Sequence, residues 1–460
     1  MEVITADPYA DAVPPDYKLS YAFNVADKRA QADPTSYAQP YISSGALYAP
    51  VTIAAAATTD VRTRAAQVIL LPPDLTPPDE GTDDVTSVPP PQDKETVAAQ
   101  SATSATPTAE PSGQPDLTVA QKLAEAIKPQ SVIVGGVPIA PKVGLVKYSL
   151  SQLDTIKDEV IALTPVVLPG ADKITGSYIQ AEKDRVVVEA SEASDEFRTA
   201  LATRYGPDAV VIRLLTDSST SALDSRPSDS SSGGFYGGSL IGNYSPTVGS
   251  CSDGFSWRYS GYHAMLTAGH CTGLGWTMFT PREDMGHVVK DTWANNSGTG
   301  HIDGQSAYHG DASMIKIDPG KSSAPRIYVG SSTSAASRAV AGMYYRSPAY
   351  GDKYCTGGAT TGELCGWRVD TVRFNHRYSD GTVARNMTRG SKQGKCTRGG
   401  DSGGPVYTVN SEGKVLAKGI HSGTGGGGTD SYGGAFDPCH EFFTDIWEVY
   451  YGFPGTIAIG

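Results

Sequence analysis

All six cysteines of this 460-residue chain, Cys251, Cys271, Cys355, Cys365, Cys396 and Cys439, lie after residue 250. None belongs to a C-x-x-C pair with metal-site spacing, so an even set confined to one half reads as three disulfides made in an oxidising compartment. Spacing alone leaves their pairing open, and six reduced thiols in a cytosolic protein is the competing reading. Charge divides the chain at the same place. Residues 227–460 carry 19 acidic and 19 basic side chains, whereas residues 1–226 carry 30 acidic and 18 basic, so the whole net charge of −12 lies in the first half. A charge-balanced second half with histidines away from ligand spacing gives no support to a metal, nucleotide or nucleic-acid site, and no cofactor is expected.

The pattern along the chain also changes. Residues 1–70 contain "GALYAPVTIAAAATTDVRTRAAQVIL", a strand running into a helix. Residues 71–130 hold a Pro/Thr/Asp-rich insertion with too little apolar surface to offset the entropy of ordering, so disorder is expected there. In residues 131–216, "SLSQLDTIKDEVIAL" spaces Leu153, Ile156, Val160 and Leu163 as one apolar helix face. "SYIQAEKDRVVVEA" follows as a strand and turn, "SDEFRTALATRYG" as a helix with Phe197, Leu201 and Tyr205 four apart, stopped by Gly206, and "DAVVIRLL" as a strand. That is a small α+β unit. Residues 217–237 read as a flexible linker open to cleavage. From 238 to 460, short β-rich runs are separated by Gly, Ser and Asn until "HEFFTDIWEVYYG", expected to be a closing helix. With 52 Gly and Tyr outnumbering Phe by 24 to 10, the composition suits short strands and turns. No apolar run is long enough to cross a membrane as a helix. The opening "MEVITADPYADAVPPD" lacks the basic start and apolar stretch of a secretory signal, whereas the cysteines favour export, so a removed leader is expected.

The chemistry concentrates in the β-rich half. In "KCTRGGDSGGPVY", residues 395–407, glycines on both sides of Ser402 permit a tight turn that exposes its hydroxyl and aims the N–H groups of Gly400 and Ser402 at one point. A serine hydroxyl is a poor nucleophile without a base within reach and a third group orienting that base. "MLTAGHCTG", residues 265–273, supplies His270 beside Cys271.

"TAGHC" followed by "GDSGGP" resembles the chymotrypsin-type serine peptidases, in the order His, Asp, Ser. More narrowly, residues 238–460 resemble the secreted bacterial branch that includes α-lytic protease and the streptogrisins. The resemblance implies an all-β double β-barrel with the site in the cleft between the barrels, and bridges Cys251–Cys271, Cys355–Cys365 and Cys396–Cys439. It also implies a triad. Asp311 in "YHGDASMIKI" fits the acid, with Asp303 as competitor; Ser402 is the nucleophile, His270 the base, and Gly400 and Ser402 the oxyanion donors. His421, Ser422 and Gly423 of "GIHSGTGG" match the segment that lines the primary specificity pocket. Trypsin-like enzymes carry an aspartate where Cys396 stands here, so cleavage after Lys or Arg is not supported. His421 matches a histidine that reads the substrate carboxylate in glutamate-specific members, with Arg398 and Thr397 as possible helpers; a pocket for small or apolar residues is the alternative. One departure is Thr356, where an arginine usually pairs with the aspartate before the serine. Asp401 must therefore find another partner among Arg398, Lys353, Arg368 and backbone donors.

The α+β half is similar in pattern to the pro-regions of streptogrisin-like enzymes, which template folding, inhibit and are cut away. The chain is thus expected to be a secreted zymogen that acts as a monomer on proteins or peptides, with its own pro-region as partner and no membrane or nucleic acid involved. Two rivals have less support. "GGDSGG" also fits the nucleophile elbow of α/β-hydrolases, but "GGPVYTV" continues as a strand and only two histidines follow Ser402. An inactive binding protein on a protease scaffold usually has a broken triad, and here all three members are present.

Overall fold

Two adjacent strands in the first half, "RVVVEA" and "VVIRL", are almost wholly apolar, and the computed structural model shows why. It describes residues 1–4, 17–70, 138–214, 226, 233–243, 251–293, 301–302, 305–306, 310–378, 383–425 and 438–460. Strand Arg185–Ala190 pairs antiparallel with Ile174–Gln180 and parallel with Val210–Leu214. One face packs Val186, Val188 and Ile212 against helices Leu150–Val160 and Asp195–Tyr205. The other face packs Tyr178, Val187 and Val211 against Phe374, Met387 and Phe442 of the β-rich half. A sheet covered on both sides has no solvent face for alternation to mark.

Both helices begin as their sequences require. Ser149 accepts from the Gln152 N–H while the Gln152 side chain accepts from the Ser149 N–H, a closed capping box. Ser194 caps the second helix through the Phe197 N–H, and Gly206 ends it at φ 89°. Leu150, Leu153 and Val160 are buried along the first helix, and Phe197 and Leu201 along the second. The expected disordered insertion lies outside the described residues.

Among the described residues the β-rich half is built on two large sheets, with a small separate pair, His301–Ile302 and Gln305–Ser306. Residues 240–317 supply most of an eight-stranded sheet around Met265, Met278, Met285, Val288 and Ile315. Two-residue strands, Cys251–Ser252 and Thr456–Ile457, lie at its ends. In the second sheet, strands Pro405–Val409, Lys353–Gly358, Gly362–Arg377, Val383–Lys392, Cys439–Asp445 and Val415–Gly425 pair in that order, and the last pairs back with the first. These six strands close into a barrel, and the far end of Gly362–Arg377 runs beyond its partner Lys353–Gly358, leaving one side of residues 369–377 open to another strand. The three disulfides join Cys251 to Cys271, Cys355 to Cys365 and Cys396 to Cys439.

The closing segment departs from expectation. Only Ile446–Gly452 is helical; "CHEFFTD" before it is a strand, buried throughout and hydrogen-bonded on both sides. Two barrel neighbours offer this short aromatic run a full ladder, which outweighs its helical spacing. The expected linker also ends earlier than its composition suggests. Phe235–Gly237 pairs with Ser323–Tyr328, and the buried Arg226 donates to the carbonyls of Tyr328, Gly330 and Ser331.

The two halves meet edge to edge. Strand Ile174–Gln180 adds antiparallel to Gly362–Arg377 through Ser177 opposite Asn375 and Gly176 opposite His376. Around this seam Asp27 pairs with Arg373, Asn375 donates to Asp158, and Arg385 donates to the Asp158 carbonyl. Among the described residues no helix is long and apolar enough to cross a membrane.

Candidate active site

Asp311 stands just before strand Ser313–Ile317 of the first sheet and is wholly buried. The second barrel pins its backbone: its N–H donates to Thr444 Oγ1 at 2.8 Å, and the same hydroxyl donates to its carbonyl at 2.9 Å. His270 occupies a 3-10 turn, Gly269–Cys271, which follows the buried strand Tyr262–Thr267 and is tied down by the Cys251–Cys271 bridge. Its N–H donates to Asp311 Oδ1 at 2.7 Å, and its Nδ1 lies 2.6 Å from Oδ2. Ser422 donates its hydroxyl to Oδ2, and the Tyr378 hydroxyl does so at 3.2 Å. Burial alone would raise the Asp311 carboxyl, but the charge of His270 and the hydrogen bonds from His270 and Ser422 hold it below the usual carboxylate range. Asp311 is therefore an anion, which makes Nδ1 of His270 the proton-bearing nitrogen, while Nε2 lies 3.7 Å from Cys271 Sγ.

Trp293 and Tyr378 stand beside the imidazole, with ring centroids 5.8 and 5.1 Å from it. Behind it is a second carboxylate, Asp291, which accepts from the Trp293 N–H at 2.7 Å and from Thr272 Oγ1 at 3.3 Å. Burial, with the nearby Asp311 charge adding to it, lifts this carboxyl to about 7.

Ser402 lies between Gly400 at φ 96° and Gly403 at φ 87°. A Cβ on Gly403 would fall 2.1 Å from both the Ser252 carbonyl and Thr267 Oγ1, so no other residue fits this turn. The turn is stitched to its neighbours: Ser252 N–H donates to the Ser402 carbonyl, Ser252 Oγ to the Gly400 carbonyl, and Gly403 N–H to the His421 carbonyl. The N–H groups of Gly400 and Ser402 have no backbone acceptor among the described residues. Ser402 Oγ donates to the Ser422 carbonyl at 3.1 Å.

Asp401 has a different set of partners from the usual arginine. The N–H groups of Thr360, Thr361 and Arg398 and the Thr361 hydroxyl all donate to it, at 2.7 to 3.0 Å. Arg398 thus contributes its backbone, and four neutral donors solvate one buried charge. Thr356, where the arginine would stand, accepts from the Trp367 indole instead.

On the pocket side, the Thr397 and Thr424 hydroxyls are 2.6 Å apart. His421, 2 % exposed, has its Nδ1 2.6 Å from Glu441 Oε2, and Glu441 is fully buried. Gly423 faces the Phe442 ring, which a Cβ there would meet at 2.5 Å. The structure thus ties His270 and Ser422 to Asp311, Ser402 to the Ser422 carbonyl, and the turn after Ser402 to the His421 carbonyl; Asp303 lies outside the described residues. Sequence reasoning missed Tyr378, Asp291, Thr361, Thr444 and Glu441. Of these only Glu441 left a signal, a carboxylate in an otherwise aromatic run. Two groups of side chains at metal-ligand distance among the described residues, Cys251 with His270 and Cys271, and Cys355 with Glu363 and Cys365, rely on cysteines tied up in disulfides, which have no thiolate to offer.

The chain is 31% identical over 197 residues to glutamyl endopeptidase 2 of Streptomyces griseus, a match covering 41% of this chain and 85% of that enzyme. Among solved structures, Thermobifida fusca protease A is 25% identical, with 49% of this chain and 98% of that one covered and a TM-score of 0.35. A glutamic acid-specific serine protease, described as using a histidine triad in substrate binding, is 22% identical, with 48% and 99% covered and a TM-score of 0.36. No protein-family model matches the sequence.

Proposed function

The chain belongs to the bacterial chymotrypsin-type serine endopeptidases, enzymes that hydrolyse proteins and peptides, and from that premise we propose that it works through Ser402, His270 and Asp311 and prefers glutamate before the scissile bond. The observation that carries the triad is the buried Asp311 anion 2.6 Å from His270 Nδ1. With that nitrogen holding its proton, Nε2 takes the proton of the Ser402 hydroxyl as the oxygen attacks the substrate carbonyl. The N–H groups of Gly400 and Ser402 stabilise the tetrahedral oxyanion, each on the order of 3 kcal/mol. The imidazolium, balanced by Asp311, protonates the leaving amine. Water, deprotonated by the same nitrogen, then releases the acyl group and restores Ser402.

The glutamate preference rests on a buried histidine and two hydroxyls, Thr397 and Thr424, in the expected pocket, and on the name of the 31%-identical relative. The α+β half is read as a pro-region, docked by strand addition and later removed, and the enzyme as secreted. A β domain dominated by long-range pairings folds slowly, and a template that holds one edge would lower its barrier.

A phosphonofluoridate-type reagent should label Ser402, and Ser402→Ala should abolish both labelling and hydrolysis, with kcat falling by about 10⁶. An unlabelled processed protein would favour the inactive-scaffold reading. Peptides with Glu before the cut should react faster than those with Phe, Leu or Lys; faster cleavage after an apolar residue removes the glutamate reading and leaves the triad standing. N-terminal sequencing of the secreted form tests whether residues up to 215–240 are shed.

A further inference from the structure

We infer that Glu441 is the residue that makes His421 a reader of carboxylates: it acts behind the pocket as a positioning residue that fixes the ring and supplies its countercharge. This rests on His421 being the pocket residue proposed above. His421 lies on strand Val415–Gly425 and Glu441 on Cys439–Asp445. His421 stands opposite Phe443, two positions from Glu441, so the imidazole reaches its carboxylate diagonally, and a register shift after His421 sets Thr424 opposite Glu441. The Phe442 ring fills the space that a side chain on Gly423 would need.

The chemistry follows from which nitrogen is engaged. A carboxylate 2.6 Å from Nδ1 keeps the proton on that nitrogen. A neutral ring then presents a lone pair at Nε2, which repels a substrate carboxylate. Only the doubly protonated ring offers Nε2–H, and a cationic imidazole 2 % exposed is costly without a counterion. Glu441 is that counterion. Protonation of the ring leaves the pair neutral overall and gives the pocket a donor that a glutamate side chain can use and a glutamine side chain uses less well.

The surroundings do not compete for the role. The Tyr354 hydroxyl, from strand Lys353–Gly358, lies next to Glu441; burial and then the Glu441 charge raise it well above the usual tyrosine range, so it stays neutral. Beyond it Asp370 and Arg389 pair with each other at 2.8 Å. Thr424, which stands opposite Glu441 in the ladder, has its hydroxyl 2.6 Å from that of Thr397.

The test compares wild type with Glu441→Gln, an isosteric change that can still accept from Nδ1–H but carries no charge. Peptides with Glu or Gln before the cut are assayed across the pH range, and His421 is titrated by imidazole NMR in a Ser402→Ala background. In wild type, kcat/KM for the Glu peptide should fall with rising pH as His421 loses its second proton, in step with the NMR titration, over and above any fall shared by the Gln peptide. In Glu441→Gln the His421 titration should move to lower pH and the Glu-over-Gln ratio should fall by roughly 10- to 100-fold, the usual size of losses when a carboxylate behind a working histidine is removed. The Gln peptide's own kcat/KM should hold, which a general packing defect would not allow. A wild-type Glu preference that survives Glu441→Gln with an unmoved His421 titration overturns this inference alone. A wild type with no Glu-over-Gln preference overturns the pocket reading beneath it as well.

Discussion

The cleft and the seam between the two halves both bury charge, but they satisfy it differently. In the cleft, the buried anions Asp311 and Asp401 are met largely by N–H and hydroxyl donors of the β-rich half, with the His270 imidazole also on Asp311. At the seam, Glu189 of the α+β half takes Arg213 of its own half at 2.8 Å and Arg389 of the other at 2.5 Å. Arg389 in turn holds Asp370 at 2.8 Å, and His440 lies 3.4 Å from both Asp370 and Arg213. Each side of the seam therefore keeps a neutral pair of its own, Arg213 with Glu189 and Arg389 with Asp370. Pulling the halves apart leaves those two pairs intact but parts Asp27 from Arg373 and Glu189 from Arg389, whereas removing a donor from Asp311 or Asp401 leaves a buried anion short of a partner. The proposed shedding of the α+β half must therefore break the two pairs that cross the seam, while the pair kept on each side survives it.

The comparison can be broken in four places. Asp311→Asn keeps the shape but loses the anion that holds the His270 proton on Nδ1, and kcat should fall by about 10⁴ with little change in thermal stability; a small loss would mean that the ring is oriented by something else. Glu189→Gln leaves the buried Arg213 without a carboxylate and Arg389 with Asp370 alone, so the full chain, carried in a Ser402→Ala background, should lose about 3 kcal/mol in denaturant unfolding. An unchanged midpoint would show that the seam charges are already hydrated. Thr361→Val removes one of the four donors to Asp401 and should cost about 2 kcal/mol by the same measurement, since hydrogen bonds to charged groups are worth more than neutral ones. The smallest effect concerns Asp291. Its carboxyl is raised in the folded state from 3.8 to about 7, so the folded chain favours the protonated form, and stability is lost as pH rises through that range. Asp291→Asn cannot ionise, and its melting temperature should gain on wild type steadily from about pH 4 to about pH 8. A constant difference would place the Asp291 titration outside that window.

The residues with local signatures were legible in advance. Glycines around Ser402, a histidine next to a cysteine and an aspartate before an alternating strand all announce themselves within a few positions, because each answers a local demand of backbone or bond. The helices of the α+β half were legible for the same reason, through caps and apolar spacing. "HEFFTD" was misread because its spacing fits a helix, and only the two strands flanking it in the barrel make it a strand.

By itself, then, the sequence determined the kind of reaction, the reactive residues expected and the division of the chain into an acidic half and a disulfide-bearing half. The tertiary structure decided who stands behind those residues. That Asp401 is solvated by Thr360 and Thr361, some forty positions away, that Thr444 pins Asp311 across the cleft, and that Glu441 backs His421 all depend on strand register. Register is set by the whole barrel closing on itself, and no short stretch of sequence carries it.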